Sequence, residues 1–268
     1  MRCFHVIAMT VLLVFLASVC WAVQFPYRDQ YPEVPTIEMQ ELKKGYDQGE
    51  IVILDVRSEM EYDVIHPKNA RQISLAKEGF LTKIQQLAKE HPNKRIACYC
   101  NGITCLKSYE AVKKAKEAGI SDVYAFDAGI FEWAKAYPKD TLLLGKEIEN
   151  PKRQLIPEKV FQKQCVSFAT FIKKASDEDS VVVDVRSPIQ RTQSLPGLKD
   201  VKVIEKSCDN FISDVVKKER MKDKTLLIFD QVGKQVKWLM YYMADNRYTD
   251  YYFLRGGAAG VLNEQEYR

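Results

Sequence analysis

The stretch Ile51-Val52-Ile53-Leu54-Asp55-Val56-Arg57-Ser58 returns later in the chain as Val181-Val182-Val183-Asp184-Val185-Arg186-Ser187. Each copy is an unbroken run of aliphatic, mostly β-branched residues that stops at Asp-Val-Arg-Ser. A run with no polar alternation is the pattern of a strand buried on both faces, as in a parallel sheet covered by helices. A second echo follows. Asp122-Val123-Tyr124-Ala125-Phe126-Asp127-Ala128-Gly129 corresponds to Asp250-Tyr251-Tyr252-Phe253-Leu254-Arg255-Gly256-Gly257. Solenoid units repeat every 20 to 50 residues or so, whereas these copies are separated by the length of a whole domain, so the repeat reads as a duplicated domain.

Each half then alternates strands and helices. In the first, residues 51–56 and 95–100 read as buried strands, and Ser108 to Ala118 as a helix with Tyr109, Val112, Ala115 and Ala118 on one face and Gly119 at its C-terminal cap. In the second, residues 181–185 and 225–229 take the strand positions and Lys234 to Asp245 the helix. Strand, loop, helix and strand in that order predict an α/β fold: two tandem domains, each a parallel sheet flanked by helices. The boundary is expected between Gly145 and Pro157, a charged stretch with two prolines and no sustained apolar period. The expected division is 1–22 as a signal peptide, 23–146 as the first domain and 147–268 as the second.

The signal peptide rests on Met1-Arg2 followed by the almost wholly apolar residues 6–21 and on Cys20-Trp21-Ala22 as a cleavage site. Export follows, with the periplasm as destination. An uncleaved membrane anchor is the alternative, against which the run is shorter than the roughly 20 apolar residues that span a bilayer. Leu16-Ala17-Ser18-Val19-Cys20 resembles a shifted lipobox, which makes a lipid on Cys20 a third reading. Lys and Arg number 40 against 36 Asp and Glu, a formal charge of +4 with no basic cluster, which argues against nucleic acid as a partner. At 46% hydrophobic and 28% charged residues, the composition is that of a packed globular protein.

Seven cysteines are present, and removal of residues 1–22 leaves Cys98, Cys100, Cys105, Cys165 and Cys208. An odd set in an oxidising compartment leaves at least one thiol unpaired. Cys100 stands where the second strand ends and a loop leads into a helix. Backbone N–H groups and the positive helix end gather at such a position, and Lys107 adds a charge, so a lowered thiol pKa and a nucleophilic thiolate are expected. Cys98, inside the strand, reads as a core residue. Cys105 has two readings that the sequence leaves open: a small apolar residue facing the helix, or a thiol able to pair with Cys100. The spacing of Cys98, Cys100 and Cys105 is not that of a zinc site, and no metal is expected.

With these elements in place, the chain resembles the rhodanese family across both halves. Asp55-Val56-Arg57 is similar to the family's strand-ending Asp-x-Arg, and Glu61-Tyr62 to its acidic-aromatic pair. His66, Ala70 and Ile73 are similar to remnants of its Gly-His-Ile-Pro-Gly-Ala segment, and Gly129 with Trp133 to its Gly-Gly-x-x-x-Trp signature. The resemblance implies sulfurtransferase chemistry, with Cys100 carrying a persulfide and no cofactor. It implies that the loop of Asn101, Gly102, Ile103, Thr104, Cys105, Lys107 and Ser108 receives a small sulfur-containing anion or related oxyanion, that Asp55 and Arg57 support it, and that a protein thiol can act as acceptor.

The family's loop takes six residues from Cys to a basic residue, whereas Cys100 to Lys107 takes eight, which leaves the donor open. The alternatives to a sulfurtransferase are a non-catalytic oxyanion- or partner-binding accessory module and a Cys100–Cys105 redox relay. The second half has the six-residue length, Asp230-Gln231-Val232-Gly233-Lys234-Gln235, but an Asp in place of the Cys. A carboxylate cannot carry a persulfide, so this half is expected to be inactive and to pack against the first. Arg57 and Glu61 are expected to pair beneath the loop, His66 to make a local hydrogen bond, and Tyr241 to Tyr252 to form core and rim of the second domain.

Overall fold

A computed structural model describes residues 24–198 and 201–266. The expected signal peptide and the lipid site at Cys20 lie outside the described residues. Among those described, no helix is long and apolar enough to cross a membrane.

After helix α1 (Met39–Asp47), strand β1 (Ile51–Asp55) runs into α2 (Glu59–Val64), β2 (Ile65–Pro67), β3 (Arg71–Gln72), α3 (Phe80–Glu90), β4 (Arg95–Tyr99), α4 (Lys107–Glu117), β5 (Val123–Phe126) and α5 (Gly129–Ala136). β3, β1, β4 and β5 form a parallel sheet in that order. All five residues of β1 are buried, as its unbroken aliphatic run requires. One face packs Val52, Leu54 and Cys98 against Ile84, Val112 and Ala115 of α3 and α4. The other packs Ile51, Ile53, Ala97 and Tyr99 against Leu42, Val64, Ile130 and Trp133 from α1, α2 and α5. Helix α4 ends where Gly119 turns to φ +87°, a conformation that costs glycine little.

The chain continues through β6 (Thr141–Leu143), β7 (Lys146–Glu147), α6 (Pro151–Gln154), α7 (Glu158–Gln164), β8 (Cys165–Val166), α8 (Phe168–Ala175), β9 (Ser180–Asp184), β10 (Val203–Glu205), α9 (Cys208–Phe211), β11 (Thr225–Phe229), α10 (Gln235–Asp245), β12 (Tyr251–Leu254) and α11 (Gly257–Glu266). A second parallel sheet has the order β10-β9-β11-β12-β8. The repeat thus gives two sheets of the same construction: β9 beside β11 matches β1 beside β4. Even the short β8–β12 pairing has its counterpart in the isolated parallel bridge between Thr36 and Ala125. A small antiparallel sheet, β2-β6-β7, closes the first half.

The stretch from Gly145 to Pro157, where the boundary is expected, is seated on the first half by Ile148 and Leu155, both buried in its core. One expectation needs correction. Tyr241 does not belong to the second half's core. With Trp238, it projects from α10 into the cluster beneath α2 and α5, and its hydroxyl accepts a hydrogen bond from the N–H of Ile156 at 3.1 Å. The two halves therefore share one apolar seam.

Candidate functional site

The Asp-x-Arg at the end of β1 explains itself on inspection of burial. Asp55 and Arg57 are both fully buried, and a buried charge is tolerable when paired and hydrogen-bonded. The Arg57 guanidinium donates Nε to Asp55 Oδ1 at 3.0 Å and Nη2 to Asp55 Oδ2 at 2.6 Å, a two-pronged ion pair. Nη2 also reaches the Ile65 carbonyl at 2.6 Å, and the Tyr99 hydroxyl donates to Asp55. The guanidinium lies between the rings of Tyr99 and Trp238, at 5.3 and 5.5 Å from their centroids. Trp238 belongs to the second half, so one half supplies a wall to the other's buried cation.

The expected pairing of Arg57 with Glu61 is not made. Ser58 caps α2, and the Glu61 carboxylate turns back to accept the Ser58 N–H at 3.0 Å and hydroxyl at 2.8 Å, a capping box. Asn101 fills the gap: its Oδ1 accepts from Arg57 Nη1 at 3.0 Å, and its Nδ2 donates to Glu61 Oε1 at 2.8 Å. Burial works against the Glu61 charge, yet Arg57, Asn101 and Ser58 together hold its carboxyl below the usual range. Asn101, expected among the ligand-binding loop residues, thus spends its side chain tying the loop to the charged layer below.

Cys100 follows β4 directly and is 2% exposed. Its carbonyl accepts the N–H of Ile130 at 3.0 Å, which moors the loop to the start of α5. Gly129 has φ +74°, and a Cβ there would lie 2.7 Å from the carbonyl carbon of Asn101 and closer still to Gly102. Both requirements select glycine. The loop turns back where the Cys105 N–H donates to the Gly102 carbonyl at 2.9 Å, and Cys105 is bonded to Cys100 as a disulfide with the Cα atoms 6.2 Å apart. Of the two sequence readings of Cys105, the structure adopts the paired one. A nucleophilic sulfur at Cys100 therefore requires reduction of this bond. Ile103 and Thr104 form the outer turn, with Thr104 exposed. Lys107 opens α4, and next to it the Ser108 hydroxyl is buried with no hydrogen-bond partner among the described residues.

Cys98, Cys165 and Cys208 are free and buried, and burial pushes all three thiols up, away from the reactive thiolate. No group of three or more His, Cys, Asp or Glu able to hold a metal occurs among the described residues. A cavity of about 780 Å³ lies at the seam between the halves rather than at the Cys100 loop, lined in part by Phe131, Leu155, Ile156 and Lys237.

The second half repeats the layout with a different occupant. Asp184 and Arg186 reproduce the buried ion pair, with Nη2 to Oδ2 at 2.7 Å, and Ser187 with Gln190 reproduces the capping box. Asp230 stands at the loop's first position, buried, and its carboxylate accepts backbone N–H groups from Gly233, from Gln235 at 2.6 Å and from Val236 at 3.2 Å. Its own carbonyl accepts from Ala258 at 2.8 Å, as Cys100 does from Ile130. Gly257 has the role of Gly129, with φ +64° and no room for a Cβ against Asp230 and Gln231.

His66 makes the local bond expected of it, with Nδ1 2.6 Å from the Tyr62 carbonyl and the ring stacked on Tyr62 at 3.8 Å. Burial pulls its pKa below the ordinary histidine value, with the Tyr62 carbonyl pulling weakly the other way. A base whose folded pKa is lowered takes up its proton more readily when unfolded. Its contribution to stability is whole above the ordinary value of about 6.5 and is lost as pH falls from there through the folded value. Urea midpoints measured at about pH 7.5 and about pH 5.5 should therefore fall less in His66→Gln than in the native protein. An equal fall in both proteins would assign the acid sensitivity to other groups.

The site is thus a cysteine directly after strand β4 of a parallel sheet, with a buried Asp-x-Arg beneath the ensuing strand-to-helix loop. Residues 38–136, within the first half, match the family described as "Rhodanese-like domain". Over 109 residues the chain is 31% identical to the probable adenylyltransferase/sulfurtransferase MoeZ of Mycobacterium tuberculosis, covering 40% of this chain and 26% of that protein. Over 103 residues it is 32% identical to the tRNA uridine(34) hydroxylase of Enterobacter sp., covering 37% and 28%. The chain thus spans about a quarter of the length of these curated relatives. Among solved structures, the thiosulfate sulfurtransferase of Pseudomonas aeruginosa aligns over 87% of this chain and 45% of its own at 17% identity, with a TM-score of 0.36.

Trp238 and the bridging role of Asn101 escaped the sequence reading. The Ser58-Glu59-Met60-Glu61 spacing is itself a capping-box signature and was the one available hint that Glu61 would be engaged elsewhere.

Proposed function

We propose that the protein is an exported sulfurtransferase in which the reduced Cys100 accepts a sulfane sulfur from a small anionic donor. In the second half, a negative side chain at the matching loop position draws three backbone N–H bonds to itself, and this observation carries the reading. A loop of that build stabilises an anion at its first residue, and in the first half the anion is a Cys100 thiolate, then its persulfide. The buried layer of Asp55, Arg57, Asn101 and Glu61 holds the loop in place from below. Thiosulfate chemistry balances simply: the thiolate attacks the outer sulfur, the sulfur–sulfur bond breaks, and sulfite leaves with its electron pair.

In this proposal the chain divides into a signal peptide over 1–22, a transferring domain over 23–146 and a second domain over 147–268 that lacks a sulfur-carrying residue at Asp230. Export to the periplasm rests on residues 1–22, and the acceptor is a thiol.

The test uses the Cys105→Ser variant, in which no second loop thiol can discharge Cys100, reduced by dithiothreitol, desalted and exposed to thiosulfate, with Cys100→Ala placed in the same background. Peptide mass spectrometry is expected to find a gain of one sulfur atom confined to Cys100, and Cys100→Ala is expected to show none. Unmodified Cys100 in fully reduced protein, or a gain spread over Cys98, Cys165 and Cys208, would overturn the reading.

A further inference from the structure

The Cys100 loop is two residues longer than its counterpart in the second half, and the longer loop brings a second sulfur back to the first. The turn closed by the Cys105 N–H on the Gly102 carbonyl sets the Cα atoms of Cys100 and Cys105 6.2 Å apart, inside the range a disulfide spans. No other described thiol is placed to do this: Cys98 is walled into the core between the sheet and α3 and α4, and Cys165 and Cys208 lie in the core of the second half. The two partners also differ in access, since Cys100 is 2% exposed whereas Cys105 is partly exposed.

From this arrangement we infer that Cys105 is a resolving thiol, so that the protein releases the transferred sulfur as hydrosulfide and is regenerated by an external dithiol. The inference rests on sulfur acceptance at Cys100. Once Cys100 carries the sulfane sulfur, the Cys105 sulfur attacks Cys100 Sγ. The new bond is the Cys100–Cys105 disulfide, the bond between Sγ and the sulfane sulfur breaks, and its electron pair leaves as hydrosulfide with the proton given up by Cys105. The sulfane sulfur gains two electrons, and the two cysteines lose two on becoming the disulfide. An external dithiol then enters at the more accessible sulfur, that of Cys105, forming a mixed disulfide there and expelling Cys100 as the thiolate. The partner's second thiol closes on its first, leaving the partner oxidised and both loop cysteines reduced. The leaving group of the reductive step is thus the nucleophile of the next transfer, already seated in its loop.

A single turnover without reductant tests this. Reduced, desalted protein is mixed with thiosulfate under anaerobic conditions, sulfite and hydrosulfide are quantified, and Cys100 and Cys105 are read by peptide mapping. Sulfite followed by an equal amount of hydrosulfide, with Cys100 joined to Cys105, is the expected result. Cys105→Ser and Cys105→Ala are expected to keep the extra sulfur on Cys100 and release no hydrosulfide. Sulfite with a lasting sulfur on Cys100 and a free Cys105 in the native protein overturns the resolving role while leaving sulfur acceptance intact. Hydrosulfide release from the Cys105 variants at the native rate overturns it too. Absence of both sulfite and adduct in the native protein overturns the resolving role and sulfur acceptance together.

Discussion

Arg57→Met is expected to lose about 3–5 kcal/mol of folding free energy, the cost typical of removing one partner from a buried ion pair. Met restores much of the buried volume, so the loss falls on Asp55, which sits at 0% exposure with its charge uncompensated. Asn101 loses the donor to its Oδ1 at the same time, and the loop loses one of its two ties to the layer below. The double variant Asp55→Asn with Arg57→Met removes both charges and should recover a large part of the loss, because an apolar or neutral replacement for a complete pair is far less harmful than half a pair. Urea unfolding of the native protein and the variants measures this. A loss below about 1 kcal/mol in the single variant, the worth of an exposed pair, would mean that water reaches Asp55 in solution.

Trp238→Ala is the second large effect, at about 3–5 kcal/mol for a buried aromatic truncated to a methyl. Its location makes it informative. The indole stands on α10 of the second half, but it stacks on Phe131 of the first at 5.9 Å and covers one face of Arg57. The expected signature is loss of hydrogen-exchange protection in Glu59–Val64 and in the Asp55-Val56-Arg57 segment, remote in sequence from the substitution. Protection lost in α10 and β12 alone, with α2 unaffected, would show that the halves are stabilised independently despite their shared seam.

How much of this was legible beforehand follows from the kind of residue involved. Strands β1 and β9 declared themselves because burial on both faces demands uninterrupted aliphatic runs, a one-dimensional signal. The helix over Ser108 to Ala118 and its glycine cap were legible for the same reason. Gly129 and Gly257 could be noted as a repeat, but the backbone that presses on each comes from the cysteine or aspartate loop, and that approach has no trace in local sequence. Glu61 was misassigned because two partners competed for it: a four-residue spacing offered Arg57, but the backbone N–H and hydroxyl of Ser58 lie nearer once α2 is capped. Arg57 then took the carboxylate two residues before it. Trp238 lay beyond any single-domain pattern, since its packing depends on how one copy of the repeat docks on the other. For Cys105 the sequence offered two roles of equal standing, and the turn at Gly102 decided between them.

The Asp230 carboxylate has a consequence for anything that measures anions on this protein. A ligand tethered by its own backbone competes at an effective concentration far above that of free solutes, on the order of 10⁵ M or more for a well-oriented group. A free phosphate, sulfate or thiosulfate ion would have to displace it from the N–H groups of Gly233, Gln235 and Val236. Under the proposed function the second half is then an internal blank: an anion titration is expected to report on the Cys100 loop, because the matching position at Asp230 is already filled by the chain itself.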